Sequence, residues 1–350
     1  MGESNMKAIV VDQFGGPEVL VARDVPIPQP HVGEVRVRLH AVGVNPVETY
    51  IRAGSYPHEP PLPYTPGNDG AGVVDAVGEG AGDLQPGDRV FVAATHAKRN
   101  TGTYAECAVC DATAVGRLPE GVSFEQGAGI GTPGLAAADA LFVRARVQPG
   151  ETVLVHGASG GVGTIAVQLA NRIGAVVLGT AGDASGRALV ERLGARRAFD
   201  HHEEGYLDDI LTETNGRGVD VVLDMAAHAN LMKDVKVAAT RGRIVVVGSR
   251  GTIDFDPRGL MGADLDVRGM NVNNLRPNEL NLVMHALEAA LANRLDVVVA
   301  QTFPLERAAD AHRAVVARGK DGKIVLMADA GDESGKPPID AEMQVGRAGA

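Results

Sequence analysis

The sequence contains little cysteine and few aromatic residues: two cysteines, no tryptophan and 3% aromatic residues in a chain of 350. Two cysteines are too few for disulfide bonds to stabilise a chain of this length, so we expect a hydrophobic core and the reducing environment of the cytoplasm. The N-terminal segment lacks the apolar region of a signal peptide, and no uninterrupted apolar run approaches membrane-spanning length. We therefore expect neither export nor a membrane partner.

Positive charge is also scarce. The chain has 33 Lys and Arg against 44 Asp and Glu, a formal net charge of −11, and its one basic cluster is short, at residues 98–100. Nucleic acids and anionic membranes bind proteins through basic surfaces, so the sequence predicts neither as a partner. The length predicts about two domains, each able to bury a core.

A glycine-rich segment, VLVHGASGGVGTIAVQLA at residues 153–170, joins a strand pattern to a helix pattern. A strand, a glycine turn and a helix in this order bring the unpaired N–H groups of a helix N-terminus up to a phosphate. Ala158 replaces the first glycine of the strict G-x-G-x-x-G pattern. On its own, the segment therefore fits a nucleotide loop and an ordinary strand–helix turn about equally well.

The residues that follow decide between these two interpretations. Val-rich apolar runs alternate with amphipathic stretches, and the runs begin near positions 152, 175, 198, 219 and 243. Near-continuous apolar strands of this kind predict an α/β fold with a doubly wound parallel sheet, covered by helices on both faces. Because such Rossmann folds bind dinucleotides at the first glycine turn, we interpret residues 153–170 as a dinucleotide loop.

The end of the second predicted strand indicates which dinucleotide binds. NAD sites place an Asp or Glu there to bond the ribose hydroxyls. This chain has GTAG at 179–182 instead, which is small, uncharged and leaves room for a 2′-phosphate. These four residues favour NADPH over NADH. Asp183 follows directly and weakens the inference, whereas Arg187 on the next predicted helix would offset it.

Other patterns divide the chain into segments. Runs of β-branched residues separated by Pro-Gly turns predict a β-rich domain over residues 1–125. We expect the nucleotide-binding domain over 126–275, and a long helix with a C-terminal return to the first domain over 276–330. Apolar residues are too sparse to pack after that point, so we expect 331–350 to be disordered.

Several motifs in combination resemble one family. The chain is similar to the zeta-crystallin branch of the medium-chain dehydrogenase/reductase superfamily, the zinc-free NADPH:quinone oxidoreductases, at NPVETY (45–50), PYTPG (63–67), PGDRVF (86–91), VLVHGASGGVG (153–163), GTAG (179–182) and VVGSRGTIDFDPR (246–258). The resemblance implies a GroES-like β-rich catalytic domain, a Rossmann domain and NADPH in the cleft between them. It also implies a homo-oligomer, either a dimer or a tetramer.

The resemblance also assigns site residues, position by position. Tyr50 faces the nicotinamide in the family and is a catalytic candidate together with Asn45, five residues earlier. Tyr50 either donates a hydrogen bond to the acceptor or packs against the nicotinamide, and we favour packing with a modest donor effect. The family's cofactor contacts fall on Tyr50, Ser159, Gly160, Gly161, Val162, Gly182, His201, Asn230, Val247, Gly248, Ser249, Arg250, Met270, Asn271 and Val272.

The superfamily also contains zinc alcohol dehydrogenases, from which this chain departs. A catalytic zinc needs three protein ligands drawn from Cys, His, Asp and Glu. Those enzymes carry Cys where this chain has Asn45, and His-Glu where it has Asn68 and Asp69. Cys107 and Cys110 stand three apart in a strand pattern, so they point to opposite faces and cannot readily share a metal. We therefore expect no metal.

A site without a metal restricts the substrates that can be reduced. Ordinary ketones and alcohols are then hard substrates, because nothing stabilises an alkoxide. Quinones and enones delocalise the charge that a hydride brings, so alignment with the nicotinamide and one hydrogen-bond donor suffice. We expect NADPH-dependent quinone reduction by hydride (or electron) transfer. Two alternatives stay open: reduction of the C=C bond of enones or alkenals, and a non-catalytic, crystallin-like NADPH-binding protein.

Two departures from the family leave the substrate undetermined. Gly134 and Ala138 stand where zeta-crystallins have aromatic residues, which predicts a wider pocket. The loop at 95–103 is longer than the family's and carries three basic residues, His96, Lys98 and Arg99. We expect this loop to make the entrance of the pocket more positive.

Overall fold

The computed structural model describes residues 5–57, 59–317 and 319–328. The tail predicted to be disordered, 331–350, lies outside the described residues. Within the described ranges, no helix combines the length and the apolar character needed to cross a membrane.

The secondary structure runs from an all-β beginning to alternating strands and helices. The strands are β1 (Asn5–Val10), β2 (Val21–Pro26), β3 (Glu34–Val44), β4 (Asp69–Val77), β5 (Arg89–Ala93), β6 (Cys107–Asp111), β7 (Val115–Arg117), β8 (Thr152–Val155), β9 (Val176–Ala181), β10 (Arg197–Asp200), β11 (Val219–Asp224), β12 (Ala238–Val246), β13 (Asp266–Gly269), β14 (Val299–Pro304) and β15 (Lys323–Met327). The helices are α1 (Pro46–Arg52), α2 (Phe124–Ala138), α3 (Gly161–Arg172), α4 (Ala184–Arg192), α5 (Tyr206–Glu213), α6 (Ala227–Val237), α7 (Arg258–Ala263), α8 (Pro277–Ala292) and α9 (Ala308–Val316).

The chain divides into two compact units. The first unit runs through Thr132 and also takes in Val299–Ala317 and the segment from Lys323 onward. The second unit covers Pro133–Val298 and a short segment that ends at Gly322.

The division falls later than the predicted boundary between 125 and 126. Helix α2 crosses it, and the first turns of α2 pack on the sheet of the first unit. A Cβ on Gly127 would lie 2.8 Å from the Cβ of Ala71, and the Thr132 N–H donates to Asp69 Oδ1 at 2.7 Å. These contacts hold the beginning of α2 in the first unit.

The long helix predicted within 276–330 is α8. It belongs to the second unit rather than to the C-terminal segment that returns to the first unit. Arg172 on α3 donates from Nη1 to the carbonyl of Ala290 at 3.2 Å. Gln168 makes two hydrogen bonds of 2.8 Å with the backbone of Asp296, just beyond α8. The return to the first unit is made instead by β14, α9 and β15.

The first unit is built on a seven-stranded sheet in the order β14-β15-β3-β4-β5-β7, with β6 paired to β3. The long strand β3 pairs antiparallel with β4, β6 and β15, and Val35, Val37 and Leu39 on it are fully buried. Cys107 and Cys110 lie on β6 as predicted, both buried and free. Burial raises the pKa of each thiol to about 12, so both act as packing residues.

The second unit contains a six-stranded sheet in the order β10-β9-β8-β11-β12-β13. All five strand pairs are parallel, and counting from β8 the order is the 3-2-1-4-5-6 of a dinucleotide-binding fold. The predicted β-rich domain and doubly wound parallel sheet are thus both confirmed. Strand β13 was not predicted, because this four-residue edge strand carries Asp266 and Arg268 and lacks a continuous apolar run.

Candidate active site

The cofactor residues predicted in the second unit all follow the carboxyl ends of its parallel strands. Carboxyl ends of parallel strands meet at one edge of a sheet, where open α/β folds bind their ligands. Every strand of the sheet contributes: 159–162 follow β8, Gly182 follows β9, His201 follows β10, Asn230 lies on the helix after β11, 247–250 follow β12 and 270–272 follow β13. The structure therefore gathers these residues at a single edge.

The glycine loop after β8 is shaped for a diphosphate. Helix α3 begins at Gly161, and its N-cap residue Gly160 offers no side chain to the first N–H groups, which stay available for an anion. A Cβ on Gly163 would lie 2.4 Å from the carbonyl oxygen of Gly157 and 2.6 Å from Ala158 Cα. The loop thus closes against the helix as only glycine permits, and these residues fit the pyrophosphate of a dinucleotide.

The end of β9 carries a small, uncharged surface beside two imidazoles. A Cβ on Gly182 would lie 3.0 Å from His202 Nε2 and 3.1 Å from His201 Cε1. The two rings lie 4.2 Å apart between centroids. Burial, together with the charge of His202, lowers the pKa of His201. Gly182 and His201, both predicted to contact the cofactor, are thus neighbours.

Two charged residues that bear on cofactor choice are engaged elsewhere. Asp183 is the N-cap of α4, and its Oδ1 accepts from the Gly186 N–H at 2.8 Å and from Ser185 Oγ at 3.0 Å. These hydrogen bonds hold the pKa of Asp183 below its usual range. Arg187, expected to offset Asp183, donates instead to Asp200 Oδ2 at 2.6 Å. The acid that weakened the NADPH inference therefore serves as a helix cap.

A buried titratable cluster lies under the glycine loop and was missed by the sequence reasoning. His156 Nε2 lies 2.9 Å from Asp234 Oδ1, and its Nδ1 lies 3.1 Å from Thr180 Oγ1. Burial raises the pKa of Asp234 to about 7 and that of Asp224 to about 6, and lowers the pKa of His156 to about 4. Asp224 Oδ1 accepts from Asn230 Nδ2 at 3.1 Å and so orients a predicted cofactor contact.

The catalytic candidates of the first unit lie on α1, directly after β3. Asn45 is the N-cap residue and Pro46 the first helical residue, which is the favoured place for proline. The Asn45 N–H donates to Glu48 Oε2 at 2.9 Å, the return arm of a capping box. Tyr50 is half-buried on the same helix. Among the described residues, its hydroxyl makes no hydrogen bond and stays available to a ligand.

The side chain of Asn45 is fully engaged inside the first unit. Its Nδ2 donates to Asp69 Oδ2 at 2.8 Å and to Glu48 Oε1 at 3.2 Å. Its Oδ1 accepts from the ammonium of Lys323, which also bonds Asp69 Oδ2 at 3.0 Å. None of these four residues exposes more than 4% of its surface. Asn45 has no amide hydrogen left for an acceptor, so we interpret it as a positioning residue.

A second chain of hydrogen bonds leads away from Glu48. Tyr104 Oη donates to Glu48 Oε2 at 2.8 Å and lies 2.9 Å from His312 Nε2, and Arg52 Nη1 lies 3.3 Å from His312 Nδ1. The network assigns neutral His312 with its proton on Nε2, since Arg52 only donates. Burial lowers the pKa of His312 to about 3. Burial and the neighbouring Asp69 raise the pKa of Glu48 to about 7.

The positions that hold zinc ligands in the other branch carry a different donor set here. Asn45 and Asp69 share the ammonium of Lys323, so a cation of the chain itself already bonds both residues. Asn68 Oδ1 accepts from Asn100 Nδ2 at 3.2 Å. Across the described ranges, no group of three or more His, Cys, Asp and Glu side chains is arranged to hold a metal ion. This donor set does not fit a catalytic zinc.

One of the three basic residues of the loop at 95–103 is paired with an acid. Arg99 forms an ion pair with Glu34, whereas Lys98 is exposed. The loop borders a cavity of about 900 Å³ within the first unit, whose lining includes Glu48, Ile51, Tyr64, Thr95, Lys98 and Asn100. Gly134 and Ala138, expected to widen the pocket, are both buried on α2.

Two family models match the two halves of the chain. Residues 31–146 match the alcohol dehydrogenase GroES-like domain, and residues 161–289 match the zinc-binding dehydrogenase family. The chain is 43% identical to the quinone oxidoreductases of Rattus norvegicus and Homo sapiens, over 93% of this chain and 99% of each relative.

A solved structure agrees with these relatives. Escherichia coli quinone oxidoreductase, complexed with NADPH, matches with a TM-score of 0.82 and 31% identity, over 92% of this chain and 99% of that chain. The chain therefore belongs to the zeta-crystallin branch of the medium-chain dehydrogenase/reductase superfamily, the family of the quinone oxidoreductases.

Proposed function

We propose that this chain is a zinc-independent NADPH:quinone oxidoreductase. The observation that carries the proposal is 43% identity to mammalian quinone oxidoreductases along 93% of the chain. The gathering of the predicted cofactor residues at one edge of the parallel sheet supports it, as does the NADPH complex of the Escherichia coli relative.

In this proposal the second unit holds NADPH. The N–H groups at the start of α3 bind the pyrophosphate, and Gly182 and His201 border the 2′-phosphate, where the nearest acid, Asp183, caps α4 through its Oδ1. Asn230, oriented by Asp224, and the residues after β12 and β13 contact the rest of the cofactor. When bound, the reduced nicotinamide supplies the hydride that the acceptor takes up.

The first unit supplies the group that meets the acceptor oxygen. Tyr50 is half-buried and its hydroxyl makes no hydrogen bond to any residue that the structure describes, so it has a proton to donate where charge develops on the quinone oxygen. Its ring would also pack against a bound nicotinamide, the role that we favour. Asn45 caps the helix that carries Tyr50, and its side chain accepts a hydrogen bond from Lys323.

An acceptor panel tests the proposed function. We expect the protein, treated with a chelator, to oxidise NADPH in the presence of ortho- or para-quinones, followed by loss of NADPH absorbance. Turnover with enones alone would assign the protein to C=C reduction. Tight NADPH binding without turnover on any acceptor would assign it a binding role. Activity that appears only with added zinc would contradict the zinc-independent assignment.

Replacement of Tyr50 separates its two roles. Tyr50→Phe removes only the hydroxyl, and we expect kcat with a quinone to fall about tenfold or less, roughly 1 kcal/mol of transition-state stabilisation, with KM for NADPH unchanged. Tyr50→Ala removes the ring as well and should clearly weaken NADPH binding. Tyr56→Phe, in the turn after α1, is the matched control. A thousandfold fall in kcat for Tyr50→Phe would make Tyr50 an obligatory acid.

We include in this proposal a homo-oligomer, dimer or tetramer, in the cytoplasm. Both rest on the family and, for the location, on the presence of only two cysteines. Light scattering on the purified protein measures the oligomeric state directly.

A further inference from the structure

Lys323 is a buried cation of the first unit. It is the first residue of β15 and is 4% exposed. Its ammonium reaches two side chains distant in sequence, Asn45 at the N-cap of α1 and Asp69 at the start of β4. Burial of an ammonium is costly unless hydrogen bonds and an opposite charge compensate it. Such a group must therefore be held in a fixed geometry.

The carboxylate of Asp69 accepts four hydrogen bonds in this network. Its Oδ1 accepts from the N–H and hydroxyl of Thr132 at 2.7 and 2.6 Å. Its Oδ2 accepts from Asn45 Nδ2 and Lys323 Nζ at 2.8 and 3.0 Å. With four donors converging on one carboxylate, Asp69 cannot move without breaking bonds to three different elements.

Asn45 transmits this geometry to α1. Lys323 donates to Asn45 Oδ1, and the two side-chain amide hydrogens of Asn45 are donated to Asp69 and Glu48. Glu48 in turn accepts the Asn45 N–H and closes the first turn of the helix. Tyr50 lies in the second turn of the same seven-residue helix. A helix this short depends on its N-cap and on its packing, since its own hydrogen bonds are few.

We propose that Lys323 is a positioning residue of the reductase, whose ammonium fixes Asn45 and Asp69 and thereby holds α1 and Tyr50 in place. The simpler alternative is that Lys323 only neutralises Asp69 and matters for folding alone. The kinetic part of the inference rests on the proposed function, whereas the effect on α1 does not.

Four variants distinguish these alternatives: Lys323→Met, Asp69→Asn, the double variant Asp69→Asn/Lys323→Met, and the control Lys7→Met. The double variant removes the ammonium without leaving an unpaired carboxylate, so it is the informative one if Lys323→Met fails to fold. Lys7 is an exposed lysine of the same unit, on β1. The readouts are kcat with a quinone, Kd for NADPH, Tm, and hydrogen exchange of the α1 amides.

Our inference predicts that the double variant has the Tm of Asp69→Asn within a few degrees, yet a kcat at least tenfold lower. Kd for NADPH should change less than threefold, and the α1 amides should exchange at least tenfold faster than in Asp69→Asn. Lys7→Met should match the wild type. Equal kcat and equal α1 exchange in the double variant and Asp69→Asn would overturn the inference, because Lys323 would then only neutralise charge.

Failure of the proposed function is recognised separately. If the wild type reduces no quinone, the quinone reductase assignment fails, and hydrogen exchange alone decides the role of Lys323. Faster exchange of α1 in the double variant then supports positioning of the helix, and unchanged exchange overturns it.

Discussion

Gly163→Ala is expected to weaken NADPH binding about a hundredfold, close to 2.7 kcal/mol of binding free energy. The new Cβ would lie 2.4 Å from the Gly157 carbonyl oxygen and 2.6 Å from Ala158 Cα. Both are backbone atoms of the glycine loop, so the loop must move away from the start of α3. The N–H groups that converge on the pyrophosphate then separate.

The matched control is Gly262→Ala on α7 of the second unit, where an added Cβ meets no atom within 4 Å. Fluorescence titration gives Kd for NADPH, and thermal unfolding shows whether either variant is folded. The control should bind as the wild type does. A folded Gly163→Ala protein with Kd within twofold of the wild type would show that the loop does not hold the phosphates.

Glu48→Gln is expected to remove a pH-dependent contribution to the free energy of unfolding, which amounts to about 3 kcal/mol over the full titration of Glu48. In the folded protein, burial and Asp69 raise the pKa of Glu48 from 4.5 to about 7. The folded state therefore keeps this proton over a range in which the unfolded chain has lost it. The resulting stabilisation is fully present below the unfolded pKa and is lost as pH rises through about 7. Gln at this position carries no charge at any pH.

Urea unfolding at pH 5 and pH 8 measures this difference. Relative to the wild type, Glu48→Gln should gain about 2.5 kcal/mol of unfolding free energy between the two pH values, since part of the total is already lost at pH 5. Asp234, Asp224 and His156 titrate in both proteins, so their contributions cancel in the comparison. Glu306→Gln, an exposed position, should show no such gain. A pH-independent difference between Glu48→Gln and the wild type would contradict the raised pKa.

The sequence predicted the parts of the fold that local patterns determine. Strands β8, β9 and β11 were found because buried parallel strands are continuous apolar runs, and the glycine loop because its spacing is local. Strand β10, whose sequence RAFD is charged at both ends, was found from the regular spacing of the strands. Strand β13 was missed, since its pairing with β12 compensates for a charged edge sequence. The start of β12 was also placed late, at 243 instead of Ala238.

The buried hydrogen-bond networks of the first unit could not be predicted from the sequence. Lys323 and Asn45 are 278 residues apart, and Tyr104 and His312 are 208 apart. No periodicity marks such pairs, because side chains meet only after β15 and α9 return to the sheet of the first unit. The ion pair of Arg99 with Glu34 was missed for the same reason.

The most direct test of the central claim is the rate of NADPH oxidation by the wild-type protein with a para-quinone, after chelator treatment and beside an equal concentration of NADH. We predict turnover with NADPH that depends on the quinone and is unaffected by the chelator, with a clearly lower kcat/KM for NADH. No oxidation of NADPH with any quinone, or an equal rate with NADH, would contradict the account of an NADPH-dependent quinone reductase.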